Sequence, residues 1–426
     1  MNYFKQILFE LRERPLITWI TIAGTALSLF LLMAVYMNDN VNTVSTPPES
    51  RRADIMLAPF VHVKSEHGES SGSMNRNLAE KLYAGIEGVS SISYIAPWSE
   101  SKIVSLDGKN FQTLREKRVD AAFWQIYDYD FVSGSPFSQS EVDARVNEVI
   151  LSESSARLLG KGSDLTGRDI LLDNVPHKVK GIVRDPHPLL SNTWSEMWTA
   201  WTEDESSQWS DENGSTGVII LLSPDADPNS IKKEVERRYE VSNAQSAAEN
   251  KKLIYHGSPF TYREQTLSFG SNTTPDSKSA NLRKYLFYAV LLILPAINLS
   301  GMTRSRLRRR ISEIGVRRAY GATRSRIISQ LIGENFMLTL IGGILGLIAC
   351  VIFTLFFSNL FINYVDVWNA TALQAAARPT FEMLFSWKIF FVALFFCFIL
   401  NIISTGIPAW KASRVNPAEA ISGKNS

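Results

Sequence analysis

"RSRLRRRISEIGVRRAYGATRSRI" occupies residues 304–327. It carries nine arginines and one acidic residue, Glu313, and it lies between two apolar runs, 285–303 and 335–365. Arginine is costly inside hydrocarbon, so a basic block between two greasy stretches marks a short loop held at a membrane face. Working outward, four runs contain no Asp, Glu, Lys or Arg: residues 16–38, 285–303, 335–365 and 389–410. A helix needs about 20 mostly apolar residues to cross a bilayer. One such run could be a buried core helix of a soluble protein, but four in one chain read as membrane spans. The third run, at 31 residues, exceeds the need, so its end is expected to emerge.

Basic residues in the short flanks set the orientation. Lys5, Arg12 and Arg14 precede the first run, the nine arginines follow the second, and Lys411, Arg414 and Lys424 follow the fourth. With four crossings these segments share one side, which the positive-inside bias makes cytoplasmic. Arg283 and Lys284 dissent, and read as snorkelling anchors. Charge separates along the chain although the net is only +2. Residues 38–283 hold 26 basic against 35 acidic side chains, and the remainder holds 18 against 7. The acidic block is therefore expected outside the cytoplasm.

The expected fold is an integral membrane α-helical protein with four transmembrane helices and a large α+β extracytoplasmic domain between helices 1 and 2. Residues 1–15 read as an interfacial amphipathic helix, with Tyr3, Phe4, Ile7, Leu8 and Leu11 at helical spacing. The spans are 16–37, 284–303, 331–358 and 387–409, the first a retained anchor rather than a cleaved signal. The outer domain covers 38–283, with a β-rich insert over about 92–200, and the remaining segments are an elbow at 304–330, an outer loop at 359–386 and an inner tail at 410–426.

Within the outer block, "DIMLAPFVHV" (54–63) reads as a strand, "MNRNLAEKLYAGIEGV" as a helix burying Leu78, Leu82 and Ile86, and "SISYIAPW" as a strand. "TGVIILLS" (216–223) reads as a buried strand, followed by a helix with Pro228 in its first turn. These two strand–helix units, at opposite ends of the block, predict one α+β subdomain. Between them, "EVILSESSARLLG" reads as strand then helix, and "GRDILLDNVPHKVKGIVRD" as two strands about an Asp173-Asn174 turn. "SEHGESSGSMNRN" and "SFGSNTTPDSKSAN" read as flexible loops.

Catalytic motifs are missing. There is no GxxxxGK[ST] phosphate loop, no HExxH, no GxSxG, and no GxGxxG after a strand. Cys350 and Cys397 lie inside apolar runs and read as small fillers, so neither a disulfide framework nor a thiolate metal site is expected. His62 and His67 lie near Glu66 and Glu69, and His177 and His187 near Asp185, but loop histidines on a solvated surface are the simpler reading. No metal, no bound cofactor and no nucleic-acid partner are expected, since a loop pinned between two spans is a poor groove reader.

Leu307, Ile311 and Ile314 fall at i, i+4, i+7, a helical stripe continuing beyond the second run. Gly315 inside that helix points to close approach by another backbone, Gly321 is a natural helix end, and Thr323 can cap the next helix. On spacing alone, a generic positive-inside loop remains an equal alternative. The residues themselves resemble the signature of the MacB/FtsX-like ABC transporter permeases. The resemblance is carried by Arg308, Arg309, Arg310, Glu313, Ile314, Gly315, Arg317, Arg318, Ala319, Gly321 and Ala322, with Glu334 and "IGGILGL" following and "IPAWKASRVNPAEAI" at the end. "VDAAFWQIYDYDFVSGSPF", "EVILSESSARLLG" and "HKVKGIVRD" resemble the MacB-type periplasmic core more loosely. Tyr320 and Asn335 depart from the residues usual in that family.

The resemblance implies a non-catalytic subunit of the bacterial inner membrane, with both termini cytoplasmic. A separate ABC ATPase, which binds the ATP and Mg2+, would dock on the elbow and drive movement of the periplasmic domain. A second permease, identical or a paralogue, would complete the assembly, and a periplasmic adaptor and outer-membrane channel are further partners in such systems. The cargo would be a drug, peptide or lipoprotein; regulation of cell-wall hydrolases and membrane-anchored ligand sensing are the alternatives. Small residues at Gly24 and Ser28, and at Gly342, Gly343 and Gly346, mark faces where helices can pack closely. For the third span, packing within the chain is the expectation.

Overall fold

A computed structural model of the chain describes residues 15–41, 45–66, 68–187, 190–201, 210, 212–246, 250–268, 272–291, 293, 316 and 320–365. Near the C-terminus it describes residues 387, 390–392, 394–396, 398–399, 402–403 and 410. The chain divides into two compact units. One comprises Met1–Val41, Ser279–Phe361 and Arg378–Ser426, and the other comprises Asn42–Lys278 and Ile362–Ala377.

Among the described residues the first unit begins with helix α1 (Pro15–Val41), and the amphipathic helix expected over 1–15 lies outside them but for its last residue. The strands of the second unit are, in chain order, β1 (Ile55–Ala58), β2 (Val61–Ser65), β3 (Gly68–Gly72), β4 (Val89–Ile95), β5 (Glu100–Ser105), β6 (Phe111–Val119) and β7 (Phe131–Gly134). There follow β8 (Glu148–Ser152), β9 (Asp169–Leu172), β10 (Val175–Val183), β11 (Met197–Ala200), β12 (Gly217–Leu222), β13 (Lys252–Ile254) and β14 (Phe260–Thr261). Its helices are α2 (Arg76–Tyr83), α3 (Phe123–Ile126), α4 (Gln139–Asp143), α5 (Glu153–Gly160), α6 (Pro228–Gln245) and α7 (Tyr262–Gln265).

β4, β12, β1 and β14 lie side by side, every neighbour antiparallel. Helices α2 and α6 cover one face: Leu78, Leu82, Ile231 and Val235 are buried with Met56 and Ile220. The alternate strand residues Ile55, Leu57, Ile219 and Leu221 enter a second core with Phe123, Trp198 and Tyr262. Burial on both faces explains why β12 is an unbroken apolar run in the sequence. Local signals set the helix starts. Asn75 accepts from the Asn77 amide at 2.8 Å at the start of α2, and Asp227 accepts from the Asn229 amide ahead of Pro228 in α6.

The insert is a closed ring. β5 pairs β6, β6 pairs β11, β11 pairs β8, β8 pairs β10, β10 pairs β9, and β9 returns to β5. Closure removes exposed strand edges around that circuit. Val104, Leu114, Val149, Leu151, Leu172 and Met197 belong to its packed core. Asp173 and Asn174 form the tight β9–β10 turn, with φ of 47° and 66°, the backbone that a two-residue hairpin requires.

Four local expectations need correction. "DIMLAPFVHV" is two strands in different sheets, because β1 ends before Pro59, which has no amide hydrogen to donate, and β2 joins a separate sheet with β3 and β13. Part of "SEHGESSGSMNRN" is ordered as β3, paired antiparallel to β2. Its side chains are polar and nearly all exposed, so no apolar alternation could betray it; backbone pairing defines it. Helix α2 stops at Tyr83 before Gly85, whose φ is +66°, so Ile86 is buried from beyond the helix rather than on its face. Within "SFGSNTTPDSKSAN", residues 269–271 lie outside the described residues, and helix α8 (277–291) already begins at 277.

Helix α9 (Arg324–Val365) has 42 residues. Its 324–353 stretch is, among the described residues, long and apolar enough to cross a membrane, while α1 supplies a shorter apolar stretch, Thr18–Ala34. Leu16, Ile20 and Leu27 on α1 and Ile344, Ile348 and Ile352 on α9 are exposed large apolar side chains, the surface a lipid-facing helix presents.

Candidate transmission site

Of the elbow residues named from the sequence, Arg308, Arg309, Arg310, Glu313, Ile314, Gly315, Arg317, Arg318 and Ala319 lie outside the described residues. The elbow's last turn is described. Val316 is helical, and its carbonyl accepts from the Tyr320 amide at 3.1 Å. Gly321 follows with φ +88°, and nothing lies within 4 Å of a Cβ added there. Backbone conformation, not space, therefore calls for glycine. Ala322 is half-buried, and Thr323 opens α9: its carbonyl accepts from the Ile327 amide at 3.3 Å and its hydroxyl from the Arg326 amide at 3.4 Å. Tyr320 is 89% exposed, and residues 323–326 are exposed with it. Ile327 is the first buried residue of α9.

Further along α9, Glu334 is buried and accepts from the Gln330 side chain at 3.1 Å. Beyond it the glycines make a seam. A Cβ on Gly342 would lie 2.8 Å from Thr25 Cβ and 3.1 Å from the Ile22 carbonyl. One on Gly346 would lie 2.8 Å from the Ala26 carbonyl and 3.2 Å from Leu29 Cβ. The surface of α1 that meets these glycines is thus Ile22, Thr25, Ala26 and Leu29, spaced i, i+3, i+4, i+7. Gly343 turns elsewhere, its Cβ position being 2.7 Å from Leu394 Cδ1. Ser28 is buried, but its hydroxyl donates to its own helix at the Gly24 carbonyl, 2.8 Å away, so the Gly24–Ser28 pair is not the α1 side of this seam.

Sequence reasoning missed a buried charged node shortly after α1. Glu49 and Arg52 are almost fully buried and paired at 2.6 Å. The Thr193 hydroxyl donates to the other Glu49 oxygen at 2.8 Å, and the Arg52 guanidinium stands 5.0 Å over the Tyr262 ring. Nearby, buried Lys117 donates to the carbonyls of Ser191 and Asn192 at 3.0 and 2.7 Å. Burial pushes its pKa down to about 8, against the opposing pull of Glu49. Arg51 donates to the carbonyls of Gln125 and Ile126 at 2.6 and 2.8 Å. Residues 49–52 are thereby tied to the α3 turn, to α7 and to the segment before β11. No local pattern in "PPESRR" announces its burial, because Glu49 meets Thr193 across 144 residues and Arg51 meets Gln125 across 74.

His62, read from the sequence as a surface residue, is instead buried on β2, and His67 lies outside the described residues. Among the described residues no group of three or more His, Cys, Asp or Glu side chains is gathered.

The profile of the MacB-like periplasmic core domain matches residues 18–238, and that of the FtsX-like permease C-terminal matches residues 285–417. The chain belongs to the MacB/FtsX-like family of ABC transporter permeases. Permeases of this family sit in the inner membrane and carry a periplasmic domain, which here is the α+β unit built on Asn42–Lys278. Its relatives include a "probable export ATP-binding/permease protein" of Pseudomonas fluorescens (strain Pf0-1). That protein is 23% identical over 305 residues, which cover 71% of the permease but only 42% of the relative. The "uncharacterized ABC transporter permease YknZ" of Bacillus subtilis (strain 168) is 21% identical over 347 residues, 81% of the permease and 79% of the relative. Among solved structures, the periplasmic region of MacB from Actinobacillus actinomycetemcomitans superposes with a TM-score of 0.33 at 14% identity, covering 47% of the permease and 88% of that chain.

Proposed function

We propose that this permease is the membrane subunit of an ABC export machine that converts ATP hydrolysis into movement of its periplasmic domain. A separate cytoplasmic ATPase holds the ATP and Mg2+ and grips the elbow around Glu313 and Gly315. Closure of two ATPases draws two elbows together, one on this chain and one on a second permease. Four crossings put both termini in the cytoplasm, and the domain then acts on a drug, peptide or lipoprotein, with an adaptor and outer-membrane channel as further partners.

The supporting observation is α9. It runs unbroken from the turn at Gly321 through the seam against α1, 42 residues in one helix. At about 1.5 Å per residue such a helix is long enough to traverse the bilayer, and its continuous hydrogen bonds make it a rod that carries displacement along its axis. The driving force is the difference in elbow affinity between the two nucleotide states of the ATPase.

The test is to co-express the permease with an ABC ATPase of the same genome and purify the complex. Glu313→Ala and Gly315→Leu should leave the permease folded but lower transport per ATP hydrolysed. Unchanged assembly and unchanged coupling in both variants would overturn the proposal.

A further inference from the structure

β2 carries His62, and His256 follows two residues after β13 ends. Nδ1 of His62 and Nε2 of His256 are 2.8 Å apart, with ring centroids 5.1 Å apart and planes inclined by only 11°. Two nearly parallel rings with nitrogens in contact at that centroid spacing meet edge to edge, not face to face. Each therefore points one nitrogen straight at the other, a contact that one proton bridges and that rotation of both rings opens to a cation.

The outer nitrogens are both engaged. Nε2 of His62 faces Glu69 Oε2 at 3.4 Å, and Glu69 is itself held by Lys64 at 2.9 Å. Nδ1 of His256 is 3.1 Å from the Thr274 hydroxyl. A carboxylate or hydroxyl on the far nitrogen is the arrangement that orients a metal-bound imidazole and sets its tautomer. An ionised carboxylate only accepts, so the proton of His62 sits on Nε2 and the lone pair of its Nδ1 faces His256.

Both rings line a recess with room for about one water. Gln265 lines the same recess, and its buried amide oxygen has no hydrogen-bond partner among the described residues. An unsatisfied buried acceptor lining the same recess as two facing imidazoles gives three donors that a cation can gather.

We propose that His62 Nδ1 and His256 Nε2 chelate a borderline divalent cation, best Zn2+, with the Gln265 oxygen and one water completing a four-coordinate site. Imidazole donors favour Zn2+, Cu2+ and Ni2+ over Mg2+ and Ca2+. Zn–N bonds of about 2.0–2.1 Å in a tetrahedral site need the two nitrogens roughly 3.3 Å apart and each ring turned roughly 35° off the line that joins them, a rearrangement of both side chains. On binding, the proton shared between the rings moves to His256 Nδ1, where the Thr274 hydroxyl accepts it, so both imidazoles stay neutral. Thr274 lies just ahead of α8, so an occupied site ties the segment leading into that helix to β2 and β3.

Full-length permease in detergent, stripped with a chelator, is titrated with Zn2+ by isothermal calorimetry, with Mg2+ as the control ion. The expected result is one tight Zn2+ per chain, lost in His62→Gln and in His256→Gln, and weakened ten- to a hundredfold in Glu69→Gln. Equal Zn2+ binding in the wild type and both histidine variants, or none in the wild type, overturns the site. Should the variants fail to fold, X-ray absorption on the zinc-loaded wild type decides. Two imidazole nitrogens with oxygen ligands support the site, and an all-oxygen shell refutes it.

Discussion

The glycine seam makes a graded prediction. A methyl added at Gly346 lands 2.8 Å from the Ala26 carbonyl, and one at Gly342 lands 2.8 Å from Thr25 Cβ and 3.1 Å from the Ile22 carbonyl. Non-bonded carbon contacts are comfortable at about 3.5–4.0 Å, so α1 and α9 must separate by roughly half an ångström or more. A backbone carbonyl cannot swing aside as a side-chain tip can. Overpacking of this kind costs about 1–3 kcal/mol, offset in part by the gain of up to about 1 kcal/mol from replacing glycine in a helix. Gly342→Ala and Gly346→Ala are therefore expected to destabilise by about 1–2 kcal/mol. Gly343→Ala also meets an atom close by, at 2.7 Å, but that atom is the flexible end of Leu394. Its methyl displaces a rotamer, and the net change should stay within about 0.5 kcal/mol. The assay is denaturant unfolding of the purified permease in micelles, followed by transport per ATP in the reconstituted complex, where the first two variants should also be less well coupled. If Gly343→Ala proves as damaging as Gly346→Ala, or if Gly342→Ala and Gly346→Ala both stabilise, α1 and α9 do not meet along this line.

Three further outcomes follow from the periplasmic domain. Glu49→Gln or Arg52→Met leaves one buried charge without its partner, 2.6 Å away in the native pair, and should cost about 3–5 kcal/mol in thermal unfolding of the full-length permease. The double variant should cost less than the sum. Gly134→Ala forces a Cβ into the Lys180 carbonyl at a φ of +75°, so hydrogen exchange along β7 should accelerate while the ring strands stay protected. The pKa of Glu141 is held down to about 2, first by the hydrogen bond from Lys180 and then by Ser138, against an ordinary 4.5. Its folded pKa lies below its unfolded one, so its contribution is complete above about pH 4.5 and disappears as pH falls through about 2. The melting temperature of Glu141→Gln should then fall less steeply than that of the wild type between pH 5 and pH 2.

What could be read from residue order was whatever depends on a residue's immediate neighbours or on the solvent it must enter. Apolar runs and arginine clusters report the bilayer directly, because transfer of each side chain between water and lipid is nearly independent of the rest of the fold. The helix end at Gly321, the Thr323 cap, Pro228 in the first turn of α6 and the Asp173-Asn174 turn act within a few residues, so these too were legible. Nine of the elbow residues stand on the sequence alone. Tertiary structure alone decided what depends on partners far along the chain. The ring closes only when β11 reaches β6, and β3 is a strand only because β2 lies beside it. Thr193 meets Glu49 across 144 residues, and His256 meets His62 across 194. No local pattern encodes such contacts, because their stability arises only after the intervening chain has packed and water has been excluded from both partners.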